Sequence, residues 1–248
     1  MKVCVLTLFP ELFQPFWDHG IIRRAVQGGK IHPATVNIRD HAEGRHRVTD
    51  DRPYGGGCGM VMKPEPLAGA MAEAKGRMPT ATTLLLSPQG RRFDQQLAES
   101  LAQAGELILV CGRYEGVDER FVDRFVDGEI SIGDFVLTGG ELAAMAIIDA
   151  VARLIPGVLG NEDSAGSDTF SDGLVEYAHY TRPPNYDDEA VPDVLLSGNH
   201  AEIERWRRET ALMRTVLKRP DLLERRGVSP EERALLIKWR RELDRLIG

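Results

Sequence analysis

Three short segments of this chain combine apolar strand-like runs with glycine-bearing turns. Leu84-Leu85-Leu86 leads into Ser87-Pro88-Gln89-Gly90, and Val110-Cys111 leads into Gly112-Arg113-Tyr114-Glu115-Gly116. The third, Ser131-Ile132-Gly133-Asp134-Phe135-Val136-Leu137-Thr138-Gly139-Gly140-Glu141, encloses a short apolar run between glycines and acids. Glycine suits places where backbone takes unusual dihedrals or where a ligand lies against it. Strand ends of this kind, brought together at the carboxyl edge of a sheet, form the walls of a small-molecule site. A nicotinamide dehydrogenase is a weak rival, because no GxGxxG follows the first strand.

The elements that must position these segments are read from periodicity. Residues 2–9 form a strand, and Pro10 opens a helix carrying Leu12, Phe13, Phe16, Ile21, Ile22 and Val26 up to Gly28-Gly29. Residues 34–38 alternate as a short strand, and 39–59 form a polar stretch with little to offer a core. A helix begins at Pro64, a strand spans 82–86 and a helix spans 93–104. The continuous apolar run 107–111 is a strand covered on both faces, followed by helices over 117–126 and 141–154. Strands alternating with helices predict βαβ units, hence an α/β fold with a mainly parallel sheet. The glycine- and acid-rich stretch 160–173 reads as a flexible linker. Two amphipathic helices follow, marked by Ile203, Trp206, Met213 and Leu217 and by Leu235, Leu236, Trp239, Leu243 and Leu246. The expected division is therefore an α/β domain over 1–159, the linker, and a small helical domain over 174–248.

Composition narrows the class. The 248 residues are 42% hydrophobic, without an apolar run near membrane-spanning length or the pattern of a signal peptide. Cys4, Cys58 and Cys111 show neither a disulfide framework nor zinc-ligand spacing, and a reducing cytoplasm is their natural setting. His41 and His46 lack a metal-binding spacing, so no structural metal is assigned. The net charge of −7 argues against nucleic acid, yet the last helices are rich in arginine, including Arg205, Arg207, Arg208, Arg214, Arg225 and Arg240. Local fields matter more than the total in steering a polyanion, although solvated helix faces would carry the same charges.

The three segments, with Asp50 to Met60, Val117-Asp118-Glu119-Arg120, His179-Tyr180-Thr181-Arg182-Pro183, Gly198-Asn199-His200 and Arg219-Pro220-Asp221-Leu222-Leu223, occur in one order along the whole chain. Together they resemble the bacterial tRNA (guanine-N1)-methyltransferases that modify guanosine 37. The resemblance implies a SPOUT fold, in which a parallel α/β sheet ends in a trefoil knot, and a homodimer that shares catalytic groups across its interface. It implies S-adenosyl-L-methionine as methyl donor, tRNA as partner, no membrane association and a cytoplasmic location. It also implies that magnesium aids catalysis, at a site the sequence does not show. Carried over by position, Leu86, Ser87, Pro88, Gly112, Tyr114, Glu115, Gly116, Ser131, Ile132, Gly133, Leu137, Gly139 and Gly140 would line the donor site.

N1 of guanine holds a proton near neutral pH, so its methylation needs a base and a cation near O6, where charge accumulates. By resemblance the base is Asp168 and the cation is Arg153. From the residues alone, Asp168 is one of several linker acids and Arg153 a cation favourable to a helix C-terminus. Glu176 stands where the family usually has aspartate, near the donor's amino group. Phe135 replaces a usual tyrosine and Ala143 a usual proline, both read as packing variation. The glycine-rich loop over 50–59 is expected at the anticodon branch or the flipped base, and His179 and Arg182 either serve there or form a capped turn before Pro183-Pro184. A SPOUT enzyme with another RNA target and a non-catalytic RNA-binding factor are the rival readings. The ordered motifs oppose the first, and the intact Gly112–Gly116 and Gly133–Gly140 segments oppose the second.

Overall fold

Apolar residues on both faces of the strands decide the centre of the molecule. Along β1 (Lys2–Thr7), Val3 and Val5 enter one core while Cys4 and Leu6 enter another. The same alternation divides β6 (Glu106–Cys111), with Leu107, Leu109 and Cys111 on the first face and Ile108 and Val110 on the second. A strand apolar on both sides must be covered on both sides, which is the situation of a parallel sheet. In the computed structural model, which describes residues 1–159, 169–170 and 172–248, this sheet forms the centre of the first of two compact units, Met1–Glu162 and Asp163–Gly248.

The sheet has five strands in the order β2-β1-β6-β5-β7, and every pairing is parallel. Its other members are β2 (His32–Asn37), β5 (Thr82–Arg92) and β7 (Gly128–Ser131). Pro33 lies on the edge strand β2, where a missing backbone N–H is tolerated. Helices α1 (Phe13–Trp17), α2 (Gly20–Gln27), α4 (Gln95–Gln103) and α6 (Glu141–Ala152) contribute to the first core. Helices α3 (Pro64–Arg77) and α5 (Glu119–Phe125) contribute to the second. Register sets Leu86 beside both Cys111 and Ile130, so the carboxyl ends of β5, β6 and β7 meet at one edge. From β5 the chain passes to β6 on one side, and from β6 back over β5 to β7. That reversal opens a crevice at the strand ends.

Some boundaries differ from the sequence reading, for local reasons. The helix expected from Pro10 breaks into a 3-10 turn (Pro10–Leu12), α1 and α2, with Gly20 in the left-handed region at φ +62° between them. The first strand stops at Thr7, whose Oγ1 accepts the N–H of Phe9 at 2.9 Å. Strand β5 runs six residues past Leu86 to Arg92 and pairs with β7 again, Arg91 facing the same Ile130 as Leu86. Within the polar stretch, β3 (Asp50–Asp51) pairs antiparallel with β4 (Val61–Met62) and closes the glycine-rich loop. Most of the expected linker, Asp168 included, lies outside the described residues.

The second unit has a hairpin of β8 (Asn185–Tyr186) and β9 (Glu189–Ala190), turning through Asp187 and Asp188 at positive φ. Helices α7 (Asp193–Leu196), α8 (His200–Lys218), α9 (Pro220–Arg226) and α10 (Pro230–Ile247) follow. The two amphipathic patterns correspond to α8 and α10; the short helices were not anticipated. Leu174, Ala211, Leu212 and Leu223 form its core, with Leu235, Leu236 and Trp239 packed against them. Ser229 and Glu232 form a reciprocal capping box that starts α10.

Candidate functional site

The three segments singled out from the sequence line one cleft of about 310 Å³ at the carboxyl edge of the sheet. Its wall includes every residue assigned there by position: Leu86, Ser87, Pro88, Gly112, Tyr114, Glu115, Gly116, Ser131, Ile132, Gly133, Leu137, Gly139 and Gly140. Gln89, Arg113, Thr138 and the half-exposed Phe135, which belong to the same segments but were not assigned individually to the donor, also line it, as does Val117.

Local backbone chemistry shapes these walls. Within β5, where its pairing with β7 is interrupted past Leu86, the N–H of Gln89 donates to Ser87 Oγ at 3.2 Å. After β6, the N–H of Gly116 donates to Arg113 O at 3.2 Å and closes a tight turn. Tyr114 sits in that turn at φ +59°, a costly conformation for a bulky side chain, and half of it is exposed. After β7, Ser131 Oγ donates to Gly133 O at 2.9 Å and accepts from Gly133 N at 3.2 Å. The second and third segments are joined by the N–H of Gly140 donating to Gly112 O at 2.9 Å and by an antiparallel bridge between Arg113 and Gly139. Gly140 is required by close approach: a Cβ there would stand 2.8 Å from Cys111 Cα and 3.1 Å from Leu86 Cβ.

A buried charge pair ties the cleft together. The Glu141 side chain, 3% exposed, accepts from Arg113 Nε at 3.1 Å and Arg113 Nη2 at 3.0 Å, and from Thr7 Oγ1 at 2.8 Å. Arg113 also covers the ring of Phe9, its Cζ 4.2 Å from the centroid. Beneath this edge, burial pushes the Cys111 thiol well above its ordinary pKa, with the Glu141 carboxylate adding to the rise. Sequence reasoning passed over this network; the only local signal is an acid heading an otherwise apolar helix.

The glycine-rich loop adjoins the same turn. Glu115 N–H donates to Met60 O at 2.9 Å, Met62 N–H to Gly116 O at 2.9 Å and Asp118 N–H to Met62 O at 3.1 Å. Tyr54, at the loop's exposed tip, is fully accessible. The Arg120 guanidinium holds the Asp118 carboxyl below its usual range.

Two further assigned residues are described, and neither lines the cleft. Arg153 ends α6, its N–H donating to Asp149 O at 3.3 Å, and is not part of the cleft wall. Asp168 lies outside the described residues. Glu176 belongs to the second unit, where His179 Nε2 is 3.3 Å from its carboxylate and Arg214 Nε donates to its carbonyl oxygen at 3.0 Å. Among the described residues no group of three or more His, Cys, Asp or Glu is placed to hold a metal ion.

The fold and cleft define a class: an α/β protein with an open cleft at its strand ends, the usual place for a small-molecule site in such sheets. Comparison narrows it. Residues 1–225 match the model of the family described as tRNA (Guanine-1)-methyltransferase TrmD. The tRNA (guanine-N(1)-)-methyltransferase of Syntrophotalea carbinolica is 58% identical over 241 residues, covering 97% of either chain. The enzyme of that name from Geobacter sulfurreducens is 57% identical over 242 residues, covering 98% of this chain and 99% of its own. That of Desulfatibacillum aliphaticivorans is 53% identical over 247 residues, covering 100% and 94%. The chain belongs to the tRNA (guanine-N1)-methyltransferase family.

Proposed function

We propose that this protein transfers a methyl group from S-adenosyl-L-methionine to N1 of guanosine 37 in tRNA, working as a cytoplasmic homodimer with a SPOUT-type knot. The observation that carries the reading is the cleft, whose lining contains the thirteen positions from Leu86 to Gly140 that family resemblance assigns to the donor, though not Glu176. Its fit to such a donor rests on shape and chemistry. Gly139 and Gly140 present backbone to the cleft, and Leu86, Ile132 and Leu137 offer apolar surface on which a flat ring can pack. Glu176 is the group proposed to meet the donor's amino group, in place of the family's aspartate. The return of the chain from β7 to hydrogen-bond at Gly112 supports the knot, because it carries residues 132–140 back past the end of β5.

When bound, the donor supplies an electrophilic methyl on a sulfonium, leaving as the neutral thioether. The protein must then remove the N1 proton and stabilise charge moving to O6. Asp168 is the proposed base and Arg153 the proposed cation. The chain's own geometry supports sharing these groups between protomers. Helix α6 starts at the cleft and Arg153 follows its last turn, so about 20 Å of helix separates Arg153 from Gly140 at 1.5 Å per residue. An arginine side chain cannot span that length, so Arg153 would serve the cleft of a second copy. Exposed apolar residues beside the cleft, Val136 at 83% and Leu142 at 63%, support such an interface. The second unit, with its arginine-bearing helices, and the loop over 50–59 are the proposed grip on tRNA. Magnesium is kept as an aid to catalysis without an assigned site.

The test is methyl transfer from labelled donor to tRNA transcripts with guanosine or adenosine at position 37. Incorporation into the guanosine transcript alone, with a reverse-transcription stop there, is the expected result. Donor binding without incorporation into either transcript would redirect the search to another RNA. Mixing Arg153→Ala protomers with Asp168→Ala protomers addresses the sharing of groups. Partial activity in the mixture, with each parent inactive, is expected if the groups act on different clefts.

A further inference from the structure

We propose that Glu141 is a positioning residue of the cleft, its buried carboxylate fixing the turns that bind the donor without touching donor or RNA itself. This rests on the donor reading given above. A carboxylate taken out of water is unfavourable unless it is paired and hydrogen-bonded. Glu141 meets that requirement at one spot: Thr7 Oγ1 at 2.8 Å, Arg113 Nε at 3.1 Å and Arg113 Nη2 at 3.0 Å all donate to it. As the first residue of α6 it also sits in the favourable field of a helix N-terminus.

Each partner continues into a different part of the edge. Thr7 Oγ1 accepts from Phe9 N–H and so holds the end of β1. Arg113 belongs to the turn after β6, and its Nη1 donates to Thr138 O at 3.4 Å in the segment after β7. Gly139 makes room for the pair, since a Cβ there would stand 2.5 Å from Glu141 Oε2 and 2.6 Å from Arg113 Nε. One carboxylate thus joins segments 134 residues apart in sequence and sets the spacing of two cleft walls. Packing alone does not call for this arrangement, because apolar residues of similar volume commonly replace a buried ion pair without loss of stability. What apolar residues cannot supply is the bidentate fork that sets the direction of Arg113 and the turn carrying it.

The test compares Glu141→Gln, Arg113→Lys, Thr7→Val and the double variant Glu141→Gln/Arg113→Lys with the unaltered full-length protein. Donor affinity is read by calorimetry, kcat and the KM values for donor and tRNA by steady-state transfer, and folding by the apo melting temperature. Glutamine keeps the shape but presents an amide to Arg113. Its donor dissociation constant should rise about 10- to 100-fold, as for a lost hydrogen bond to a charged group. At saturating donor kcat should stay within about threefold, and the KM for tRNA should not change. Thr7→Val keeps the fork and should weaken donor binding by about three- to tenfold. The double variant should lose less than the product of its single losses, the mark of a shared network. A lower melting temperature with unchanged donor affinity would reduce Glu141 to a stability role and overturn the proposal. A fall in kcat at unchanged affinity would overturn it as well. If Glu141→Gln does not fold, unchanged donor affinity in Thr7→Val decides against it. Absence of donor binding by the unaltered protein would instead sink the donor reading, and this proposal with it.

Discussion

The cleft of the first unit and the helices of the second handle charge in opposite ways. At the cleft, charge is buried once, in the fork between Arg113 and Glu141, and the rest of the wall mixes backbone and apolar surface with the carboxylates of Glu115, Glu119 and Glu129. On the second unit, charge is spread over solvent-facing helix pairs such as Arg205–Glu209 at 3.8 Å, Lys238–Glu242 at 4.0 Å and Arg240–Asp244 at 3.7 Å. Exposed pairs of this kind contribute at most about 1 kcal/mol each, so their cations can turn toward phosphates at small cost. A small molecule of fixed shape calls for fixed walls, and a polyanion calls for long solvated side chains. On the proposed function these tasks fall to separate units, the first with two large cores and the second with a core centred on Leu174, Ala211, Leu212 and Leu223.

The strongest way to break this contrast is to spoil the rigid wall. Gly140→Val forces a Cβ against the Cys111 backbone, since the nearest atom there is 2.8 Å away. A loss of about 3 kcal/mol in stability is expected from such overpacking. Donor affinity should drop by at least about 100-fold, because the wall itself must move. Calorimetric binding within a few-fold of normal would show that the wall yields, and the contrast would lose its first half. Leu212→Ala attacks the second unit, where Leu212 is 1% exposed. It should cost about 2–4 kcal/mol, seen as faster hydrogen exchange in α8 and α10 and weaker tRNA binding, with donor affinity kept. Loss of donor binding in this variant would mean that the two tasks are not divided as described.

Salt gives a gentler test. Each phosphate contact releases counterions, so tRNA affinity should fall steeply from about 50 to about 200 mM salt. Donor affinity should change little. Replacing Arg205, Arg208 or Lys238 by alanine should lower the log–log slope by roughly 1 for each residue that meets a phosphate. A slope unchanged in all three would move the grip to other cations.

The parts legible in the sequence were those encoded locally. Apolar runs punctuated by glycine placed β5 and β6 and marked the segment that follows β7, whereas β7 itself, only four residues long, was given no strand of its own. What escaped was set at long range. That β5 resumes pairing with β7 after Pro88 depends on Gly90, where a Cβ would stand 2.4 Å from the Glu129 and Ile130 backbone. Nothing local to Gly90 announces that neighbour. Thr7 and Glu141 likewise read as a strand end and a helix start until the fold brings them to 2.8 Å. The break at Gly20 was hidden because Ile21 and Ile22 continue the helical apolar spacing across it. Arg153 and Asp168 carry no signal beyond residue type, so only resemblance singled them out.

The smallest effect concerns the thiols, and it sharpens the picture of a closed strand edge. Burial pushes the Cys4 thiol from 9.0 up to about 12 and Cys111 well above 9.0, whereas Cys58 is exposed in the glycine-rich loop. Above pH 9.0 the unfolded chain therefore gives up protons that the folded chain keeps. Stability from this source is whole below that pH and declines as pH rises toward 12, by at most about 1.4 kcal/mol per pH unit for each thiol. Chemical denaturation in steps from about pH 8 to 11 should show the decline, and Cys4→Ala should reduce its slope. At neutral pH a thiol reagent should modify Cys58 first, reaching Cys111 only when the end of β6 opens. Donor in the cleft should slow labelling of Cys111 while leaving Cys58 unaffected, because Gly140 and Gly112 close over the Cys111 backbone. Equal labelling of Cys111 with and without donor would mean that the wall opens by a motion the donor does not oppose, and the rigid half of the contrast would have to be placed deeper in the sheet.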